Sequence, residues 1–550
     1  TGSQGVYIGG GLTADFAVGL GYAAAEATRG GNGDGIAAAE AASTVLAYNT
    51  IGIEGSVGTN SWWSYGVDPA FLLASNALAG SAAFAFAAGP EGSSAVATAT
   101  AVAANVIAVS GDAGSDNFAS TGVWVGGDVT AINAGAGAAA GVEVEDEASG
   151  AAEASATAVN YVGLDGMVGD FSGSSRGIDI GGNVTVGGLM GVLVAVGAEN
   201  NGSGIASATG TGLILNAVEF NGSIGEGTTD SRGMSIDGDV RFTGFALGLA
   251  FTDADSTDGP ATALAVVEGF NTADIFGQVG SGSTGSQGVY IGGDIVVTNN
   301  LVSNFVIEGV DETNDGTTRG VWIGGSILTG NALNSQMAAS TDSAGGALDP
   351  EIPAATQEGD YVELAGSVFI GAEGGLNPYG VDVGGGNDYV LVRDTHFQME
   401  VVNGFNGGSN PDVDGQDIIT FDRAQIFVSN IDNFEVLNVF NRSMLILTNP
   451  LPYTYDVRDE VNIAGSAILS FGDGGAPPPF PIASGSPVNS LELNTAMLTI
   501  GGIAGNPTVG FDDSILKAEN NGTGSYVINA EVYNFGTITL SKVLSAARGT

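Results

Sequence analysis

The chain has 550 residues, of which 60 are acidic and 12 are basic, and its formal net charge is −48 at pH 7. This charge argues against nucleic acid and anionic membrane surfaces as partners, because both attract clusters of Lys and Arg. The absence of Cys excludes disulfides, thiolate catalysis and cysteine-bound zinc. A hydrophobic content of 44% still provides the apolar surface of a folded protein.

Membrane insertion is not expected from this sequence. No apolar run approaches the roughly 20 residues of a membrane-spanning helix, and no basic and then apolar leader opens the sequence at Thr1. The sequence therefore predicts a soluble, mature chain. Its negative charge favours surroundings rich in salt or divalent cations, which screen the repulsion between copies.

The sequence repeats itself with a period of about 56 residues, which is typical of solenoids. The decapeptide TGSQGVYIGG occupies residues 1–10 and occurs again, unchanged, at residues 284–293. In a solenoid each repeat contacts only its neighbours. Segments that resemble the GVYIGG part of this decapeptide recur at this period. We call the glycine that begins each of them the leading glycine: Gly66, Gly122, Gly177, Gly233 and Gly288.

An Asn stands at a fixed distance before the next leading glycine of each repeat, as Asn105 stands before Gly122. Apolar residues follow it at the second and fourth positions, as Ile107 and Val109 follow Asn105, so the Asn shares the strand face that points into the core. In stacked β-structure such amides hydrogen-bond along the stack. We predict a structural ladder, with ligand binding as the alternative role, formed by Asn49, Asn105, Asn160, Asn216 and Asn271.

The middle of each repeat is rich in Ala. Ala favours helices, but the period-two alternation in AVATATAV at residues 95–102 and the interspersed Gly, Thr and Val favour strands. We predict two strands around an acidic turn, with a thin, flat interior. The unit from Gly288 to Gly320 is much shorter than the others and lacks this middle, while Ser303 takes the Asn position. The middle is therefore expected to be a separable coil or hairpin.

The regular spacing fades after about residue 349, although alternating segments such as YVELAGSVFIG continue. We divide the chain into a repeat β-solenoid, residues 1–348, and a less regular β-helical region, residues 349–550. The predicted fold class is all-β, an elongated β-solenoid or β-helix with Gly- and Ala-rich repeats of about 56 residues. With roughly 20 to 28 residues and about 4.8 Å per coil, its length would be about 95 to 130 Å.

Few residues could support catalysis. His396 is the one histidine, in a segment that alternates like a strand, and no nucleophile motif accompanies it. Arg393 and His396 form the one candidate basic cluster for a polysaccharide lyase. We predict no catalytic residues and a protein that is not an enzyme. A polysaccharide-degrading β-helix enzyme is the lower-ranked alternative.

Two acidic segments are candidates for binding structural Ca²⁺. Asp412, Asp414 and Asp417 lie in PDVDGQD, where alternate carboxylates and a Gly turn could surround the ion with oxygens. Asn387 and Asp388 lie in GGGNDYV, which resembles one unit of the calcium-binding Gly-rich nonapeptide. A solvated acidic turn is the alternative for both segments.

Large aromatic residues recur at one position of the repeat. In the segments of the form G-V-x-I-G the two apolar residues face inward, so residue x is expected to face outward. Outward aromatic residues usually pack against another layer or partner, and they could stack on glycans. The position holds aromatic residues at Tyr7, Trp124, Tyr290 and Trp322, and polar residues at Asp179, Ser235 and Asp382.

Three features are shared with a known class of secreted proteins: NFEVLNV at residues 433–439 followed by MLIL at 444–447, NFGTITL at 534–540, and the Gly-Gly-Asp segments of the first half. With them the chain resembles the passenger domains of bacterial autotransporters and related β-helix surface adhesins. The resemblance implies export through the bacterial outer membrane, for which a cysteine-free chain is suited, and an extended right-handed β-helix on the cell surface.

We therefore expect an extracellular structural protein of the bacterial outer surface. The ends of a β-solenoid expose unpaired backbone groups, so copies are expected to join head to tail into a filament or surface layer. The expected partners are other copies of the chain and, in the alternative, surface glycans. That alternative is a monomeric autotransporter-type adhesin that binds glycans or the surfaces of host or neighbouring cells.

Overall fold

Alternating small and apolar residues fold the chain into parallel strands that wind into successive coils. The computed structural model describes residues 4–8, 10–28, 36–256, 259–313, 318–329, 359–371, 379–384, 387–408 and 417–447, and short strands between 455 and 540. The described residues contain no helix. The predicted all-β solenoid is confirmed.

Each of the first five coils contains one short strand followed by two long strands. The coils are β1 (Gln4–Ile8), β2 (Leu12–Thr28) and β3 (Ala38–Val57); β4 (Tyr65–Pro69), β5 (Leu72–Gly89) and β6 (Ser94–Ala113); β7 (Thr121–Val125), β8 (Val129–Asp146) and β9 (Ser149–Val168); β10 (Arg176–Ile180), β11 (Val184–Asn200) and β12 (Ala206–Ile224); β13 (Arg232–Ile236), β14 (Val240–Ser256) and β15 (Ala261–Val279).

The next five coils keep the three-strand order but have much shorter strands. They are β16 (Gln287–Ile291), β17 (Ile295–Val297) and β18 (Val302–Asp311); β19 (Arg319–Ile323), β20 (Ile327–Leu328) and β21 (Tyr361–Gly366); β22 (Val368–Ile370), β23 (Val381–Asp382) and β24 (Tyr389–Arg393); β25 (Glu400–Val401), β26 (Phe405–Asn406) and β27 (Ile418–Asp422); β28 (Gln425–Val428), β29 (Ile431–Asp432) and β30 (Phe434–Phe440).

The remaining strands continue the same winding. They are β31 (Met444–Leu447), β32 (Tyr455–Ile463), β33 (Ile468–Phe471), β34 (Ser490–Leu493), β35 (Met497–Ile500), β36 (Thr508–Phe511), β37 (Ile515–Lys517), β38 (Tyr533–Asn534) and β39 (Thr537–Leu540).

Corresponding strands of successive coils pair in parallel and form three long sheets. Sheet 1 contains the nine first strands from β1 to β25, sheet 2 the ten second strands from β2 to β29, and sheet 3 the third strands from β3 onward, 15 in all. A further five-stranded sheet begins at β28. The three sheets enclose one apolar core of Val, Ile and Phe side chains, such as Ile107, Ile178 and Phe242.

The long strands of the first five coils extend beyond this core as a flat double layer, which we call the fin. The fin consists of the outer parts of the second and third strands, and its interior is mostly Ala, such as Ala83, Ala99 and Ala156. Such small side chains fit the thin interior predicted from the sequence. Consecutive strands of the fin face each other across this layer and hydrogen-bond to neighbouring coils. The Ala-rich middle was expected to be a separable coil or hairpin, but it is a pair of strand extensions that pair with neighbouring coils.

The expected coil length was wrong for the first half of the chain. Asn105 pairs with Asn160 and Asn160 with Asn216, so one coil takes up a whole repeat of the sequence. The fin accounts for the difference, because it lengthens a coil without adding height to the stack. Later coils are closer to the expectation, since Val381 pairs with Phe405. The ten strands of sheet 2 extend about 43 Å at about 4.8 Å per step.

Candidate functional site

An internal polar column runs along sheet 3 at the boundary between the core and the fin. The Asn105 amide donates to Asn160 Oδ1 at 2.9 Å, and the Asn160 amide donates to Asn216 Oδ1 at 3.2 Å. Asn49 and Asn271 extend the same series at its two ends. All five predicted ladder residues are thus buried neighbours in consecutive coils.

The same amides also satisfy a bend in sheet 2. At this bend a residue with positive φ interrupts the second strand, such as Asn133 at 64° or Gly188 at 76°. The Asn105 amide donates to Ile132 O at 2.7 Å and the Asn160 amide to Gly187 O at 2.9 Å. Each of these ladder Asn residues therefore binds both along the stack and across to the opposite sheet, where the strand turns from the core into the fin.

The column continues beyond the Asn residues as acidic side chains. Register pairing places Ser303 beside Asn271, and each of the next four coils then contributes a carboxylate at this position. Asp360 Oδ1 accepts the backbone N–H of Ser303 at 2.7 Å, and Asp388 Oδ1 accepts that of Asp360 at 2.7 Å. The series continues with Asp417, which accepts from Asp388 at 2.9 Å, and Glu435, which accepts from Asp417 at 2.7 Å. We call Asp360, Asp388, Asp417 and Glu435 the carboxylate column.

Burial raises the pKa of the carboxyl groups in this column. Desolvation raises the pKa of Asp360 to about 7, against the opposing effect of its hydrogen bonds from Ser303 and Thr329. Desolvation, followed by repulsion from the carboxylates of Asp360 and Asp417, raises the pKa of Asp388 to about 9. Asp388 is 1% exposed, and its Oδ2 has no hydrogen-bond partner among the described residues.

The predicted calcium ligands are placed unequally. Asp412 and Asp414 lie outside the described residues. Asp388 and Asp417, which come from the two separate segments, are neighbours in the carboxylate column, whereas Asn387 is exposed. Among the residues that the structure describes, no group of three or more acidic or histidine side chains is arranged to hold a metal ion.

Sequence reasoning missed Asp360 and Glu435 as members of this column. A signal for Asp360 is present, because Asp360, Asp388 and Asp417 each stand directly before a short apolar strand, in DYVEL, DYVLV and DIITF. Their nearly equal separations match the shortened coils. Glu435 gives no comparable signal, since it follows Asp417 at a shorter separation and lies inside the apolar strand β30.

An outer column on sheet 1 contains most of the positions predicted to face outward. In-register pairing aligns Trp124, Asp179, Ser235, Tyr290 and Trp322. The Tyr7 backbone pairs with Asp68 at the start of the sheet. Trp124, Tyr290 and Trp322 are half-buried rather than fully exposed.

Contacts within the outer column explain its partial burial. The ring of Trp322 stacks on that of Phe369, with centroids 3.9 Å apart, and the Arg232 guanidinium lies 3.5 Å from the centroid of Tyr290. Arg176 forms an ion pair with Asp179, which is 7% exposed. The column is therefore a stripe of aromatic, Arg and acidic groups that contact one another.

The expectation for Asp382 was wrong. Asp382 lies in β23 of sheet 2, where it pairs with Leu328, and Phe369 in β22 is the residue of this coil that continues the outer column. In this shortened coil the strand of sheet 1 comes from SVFIG, and the GVDV segment forms the strand of sheet 2 instead.

The outer faces of the fin expose many large apolar side chains. Leu20 is 85% exposed, Leu189 73% and Leu264 62%. On sheet 2 the central strand β8 presents a row of Gly and Ala, including Gly135 and Gly141, between taller neighbours. The result is a shallow apolar trough bordered on one side by Leu78 and Phe84 of β5 and on the other by Leu193 of β11 and Phe251 of β14.

Carboxylates border this apolar face near the outer tip of the fin. Glu143, Glu199 and Asp255 are adjacent in register on three neighbouring strands. Desolvation raises the pKa of Glu143, and the nearby charges of Glu199 and Glu145 raise it further. An apolar face therefore ends in a row of mutually repelling carboxylates.

The two residues of the candidate basic cluster lie in and just after β24, among the shortened coils. His396 is exposed and lies in a loop that makes one isolated bridge to Gln425, so the expectation of a strand at this position was wrong. Arg393 forms ion pairs with Glu363 and, at 3.0 Å, with Asp394. The positive charge of Arg393 is therefore held by carboxylates of the chain itself.

A comparison with protein-family models, curated proteins and solved structures finds no match to this chain. Among the described residues, no helix is long and apolar enough to cross a membrane. The described residues form a repeat β-solenoid of parallel stacked sheets.

Proposed function

We propose that this protein is an extracellular structural protein of a bacterial surface and that its copies self-assemble. In this proposal the ends of the solenoid pair head to tail into filaments, and the fins associate sideways to form a surface layer. The observation that carries it is the apolar outer face of the fin. Exposed apolar surfaces of this kind in a folded protein mark sites of contact with other macromolecules.

The regular register supports growth along the axis. In sheet 3 the long strands of the first five coils stay in register along nearly their whole length, as β3 does with β6 and β12 with β9. A strand at the end of such a stack therefore has the same alternation as the strands inside it. Edge strands of this length pair readily with other chains.

Cations would control the association. A net charge of −48 and the row of carboxylates beside the apolar trough oppose contact between copies. Calcium or salt screens this repulsion, as expected for a protein of salt-rich or calcium-rich surroundings. Calcium would act here as a structural cofactor, with no catalytic role.

Sedimentation velocity in millimolar calcium and in EDTA tests the lateral contact. We expect filaments and their lateral assemblies only in calcium, and loss of the lateral assemblies in the double variant Leu189→Ser and Leu193→Ser on the apolar face. Val159→Ser, on the opposite outer face of the fin, is the matched control and should assemble like the wild type. Wild-type protein that stays monomeric in both buffers would contradict the proposal.

The second candidate is a monomeric autotransporter-type adhesin that binds glycans. The outer column favours it, because Trp322 and Phe369 present stacked rings beside Arg and acidic groups along one side of the solenoid. Binding to a glycan array should then be lost in Trp322→Ala and kept in Trp63→Ala, since Trp63 lies outside this column. Equal binding by both variants would exclude the outer column as the site.

A further inference from the structure

The fin ends abruptly after the fifth coil, whereas the core continues into the sixth. β14 pairs with β17 only over Val240–Phe242, and β15 pairs with β18 only from Phe270 onward. Within the described residues, no strand covers the outer parts of β14 and β15 on this side. We call residues 247–256 and 261–269 the fin edge. The molecule therefore has a step, with the fin edge as its floor and the later coils as its wall.

A side chain substitutes for the missing strand at the start of the fin edge. Asn300 Oδ1 accepts the backbone N–H of Ala246 at 2.8 Å, and the Asn300 amide donates to Ala246 O at 2.8 Å. The amide thus imitates one residue of a neighbouring strand. In a parallel strand the backbone N–H and C=O groups of every second residue point to the same neighbouring strand. The backbone groups of Gly248, Ala250 and Thr252 therefore point toward the same open side as those of Ala246.

The fin core is also open at this edge. Ala198, Ala206 and Ala208 in the fourth coil are at most 3% exposed. Their register partners in the fifth coil, Ala254, Ala261 and Ala263, are partly exposed to solvent. Core side chains near the tip of the fin edge therefore lack the cover that their partners in the fourth coil receive, whereas Ala250, nearer the base, stays buried at 1% exposure.

We propose that the fin edge binds the fin edge of a second copy of this chain, related by a two-fold axis. The wall of the step decides the orientation. Two fins that pointed the same way would bring the later coils of both copies into the same space. Fins that point in opposite directions avoid this clash, and β14 then pairs antiparallel with β14 of the other copy and β15 with its β15.

The charges of the fin edge suit this orientation. Asp253 and Asp255 lie near the tip of β14, and Leu247 and Leu249 lie near its base. An antiparallel pairing of two identical strands places the tip of one against the base of the other, so the carboxylates face Leu and not one another. The arrangement is isologous and closed, as most homodimers are.

The area of the contact is sufficient for a specific dimer. A strand of about ten residues extends about 33 Å, and a double-layered edge about 20 Å wide would bury on the order of 600 Å² per copy. Standard interfaces bury about 800 Å² per partner, and this contact adds backbone hydrogen bonds from two strand pairs. The dimer is independent of the proposed head-to-tail filament, because its mass is fixed at two chains.

Sedimentation velocity of the full chain in EDTA tests this inference. We expect one species of about twice 54.3 kDa that does not grow with concentration. Thr252→Pro removes a backbone donor at the fin edge and should weaken dimerisation at least tenfold, whereas Thr252→Val keeps the donor and should dimerise normally. A wild-type monomer at 50 µM, or a Thr252→Pro dimer as tight as the wild type, would overturn the proposal.

Cross-linking provides a second test that does not depend on the proline variant. The chain has no Cys, so a single introduced Cys reports only its own contacts. Phe251→Cys lies near the middle of the part of β14 that no described strand covers, and it should cross-link most of the protein on oxidation. Its register partner in the fourth coil, Ala195→Cys, lies one strand away from the edge and should not. The reverse result, or no cross-link in either variant, refutes the two-fold pairing.

Residues 330–358 lie outside the described residues and follow β20, so the chain itself could cover the fin edge. Deletion of residues 331–357 distinguishes cover by the chain's own segment from pairing with a second copy. If the wild type is monomeric and the deletion makes it dimeric, the chain's own segment occupies the edge, and the second copy is excluded as its natural partner. A wild type that dimerises with and without this segment agrees with the proposal.

Discussion

Asp388 occupies the same position in the stack as Asn160, and the two side chains hold their coils together in different ways. The Asn160 amide donates to Asn216 and to a backbone carbonyl of sheet 2. Asp388 instead accepts the backbone N–H of Asp360. In the coils that have the fin, the Asn side chains donate hydrogen bonds to the bend in sheet 2. In the later coils without the fin, the carboxylates accept hydrogen bonds from backbone N–H groups.

This difference makes the later coils sensitive to pH. Burial raises the pKa of Asp360 to about 7 and that of Asp388 to about 9, from an ordinary value of 3.8. Below about pH 4 the folded and unfolded states both carry these protons, so the contribution of the two groups to stability is at its maximum. Between pH 4 and 9 the unfolded state loses protons that the folded state retains, and the free energy of unfolding should fall. Thermal unfolding measured from pH 4 to 9 checks this slope.

Asp388→Asn should remove a large part of this pH dependence. Asn is neutral at every pH and occupies the same position in the first five coils. We expect the variant to be more stable than the wild type at pH 8 and to differ less from it at pH 4. Asp165→Asn, at an exposed position, is the control and should leave the slope unchanged. A wild-type slope in Asp388→Asn would show that the carboxylate column does not cause the effect.

Asn160→Ala should destabilise the fin coils by about 2 to 4 kcal/mol. The substitution removes the hydrogen bond from the Asn105 amide to Asn160 and the bonds that the Asn160 amide donates to the Gly187 carbonyl and to Asn216 Oδ1, and each buried group left unsatisfied costs about 1 to 3 kcal/mol. Denaturant unfolding followed by circular dichroism measures the loss. Asn221→Ala, at an exposed position of the neighbouring coil, should change stability by less than about 0.5 kcal/mol. Similar losses in both variants would contradict the structural ladder.

The thin interior of the fin should not accept a larger side chain. Ala156 is 1% exposed between the two sheets, so Ala156→Leu would force them apart and cost about 1 to 3 kcal/mol or more. Ala151→Leu places the same side chain on the outer face of the same strand and should be tolerated. Hydrogen exchange of the β8 and β9 amides distinguishes the two. Equal protection in both variants would mean that the fin is not tightly packed.

Much of the fold follows from periodicity, because it depends on local spacing. Asn105, Asn160 and Asn216 are one repeat apart in the sequence. They pair with one another in sheet 3 because each repeat forms one coil of the parallel stack. Alternation in AVATATAV predicted strands, and the Ala content predicted a thin interior. Sequence alone did not show that these strands pair between coils rather than with each other, because both arrangements have the same alternation.

The carboxylate column shows what local spacing cannot supply. Asp388 and Asp417 were predicted in two separate calcium-binding segments, with a solvated acidic turn as the alternative for each. The shortened coils bring them into one buried column, and this depends on coil lengths that become irregular after Asn271. Local spacing also gave the wrong residue for the outer column. Asp382 lies in sheet 2, and Phe369 in sheet 1 occupies the position that was predicted for Asp382.

X-ray fibre diffraction from calcium-assembled protein tests self-assembly most directly. If copies join end to end through their coils, every strand lies perpendicular to the filament axis. The pattern should then show a meridional reflection at about 4.8 Å that continues across the junctions between copies. A specimen that yields only isolated particles in calcium, or filaments whose strand-spacing reflection lies off the meridian, would contradict a solenoid that assembles through its ends.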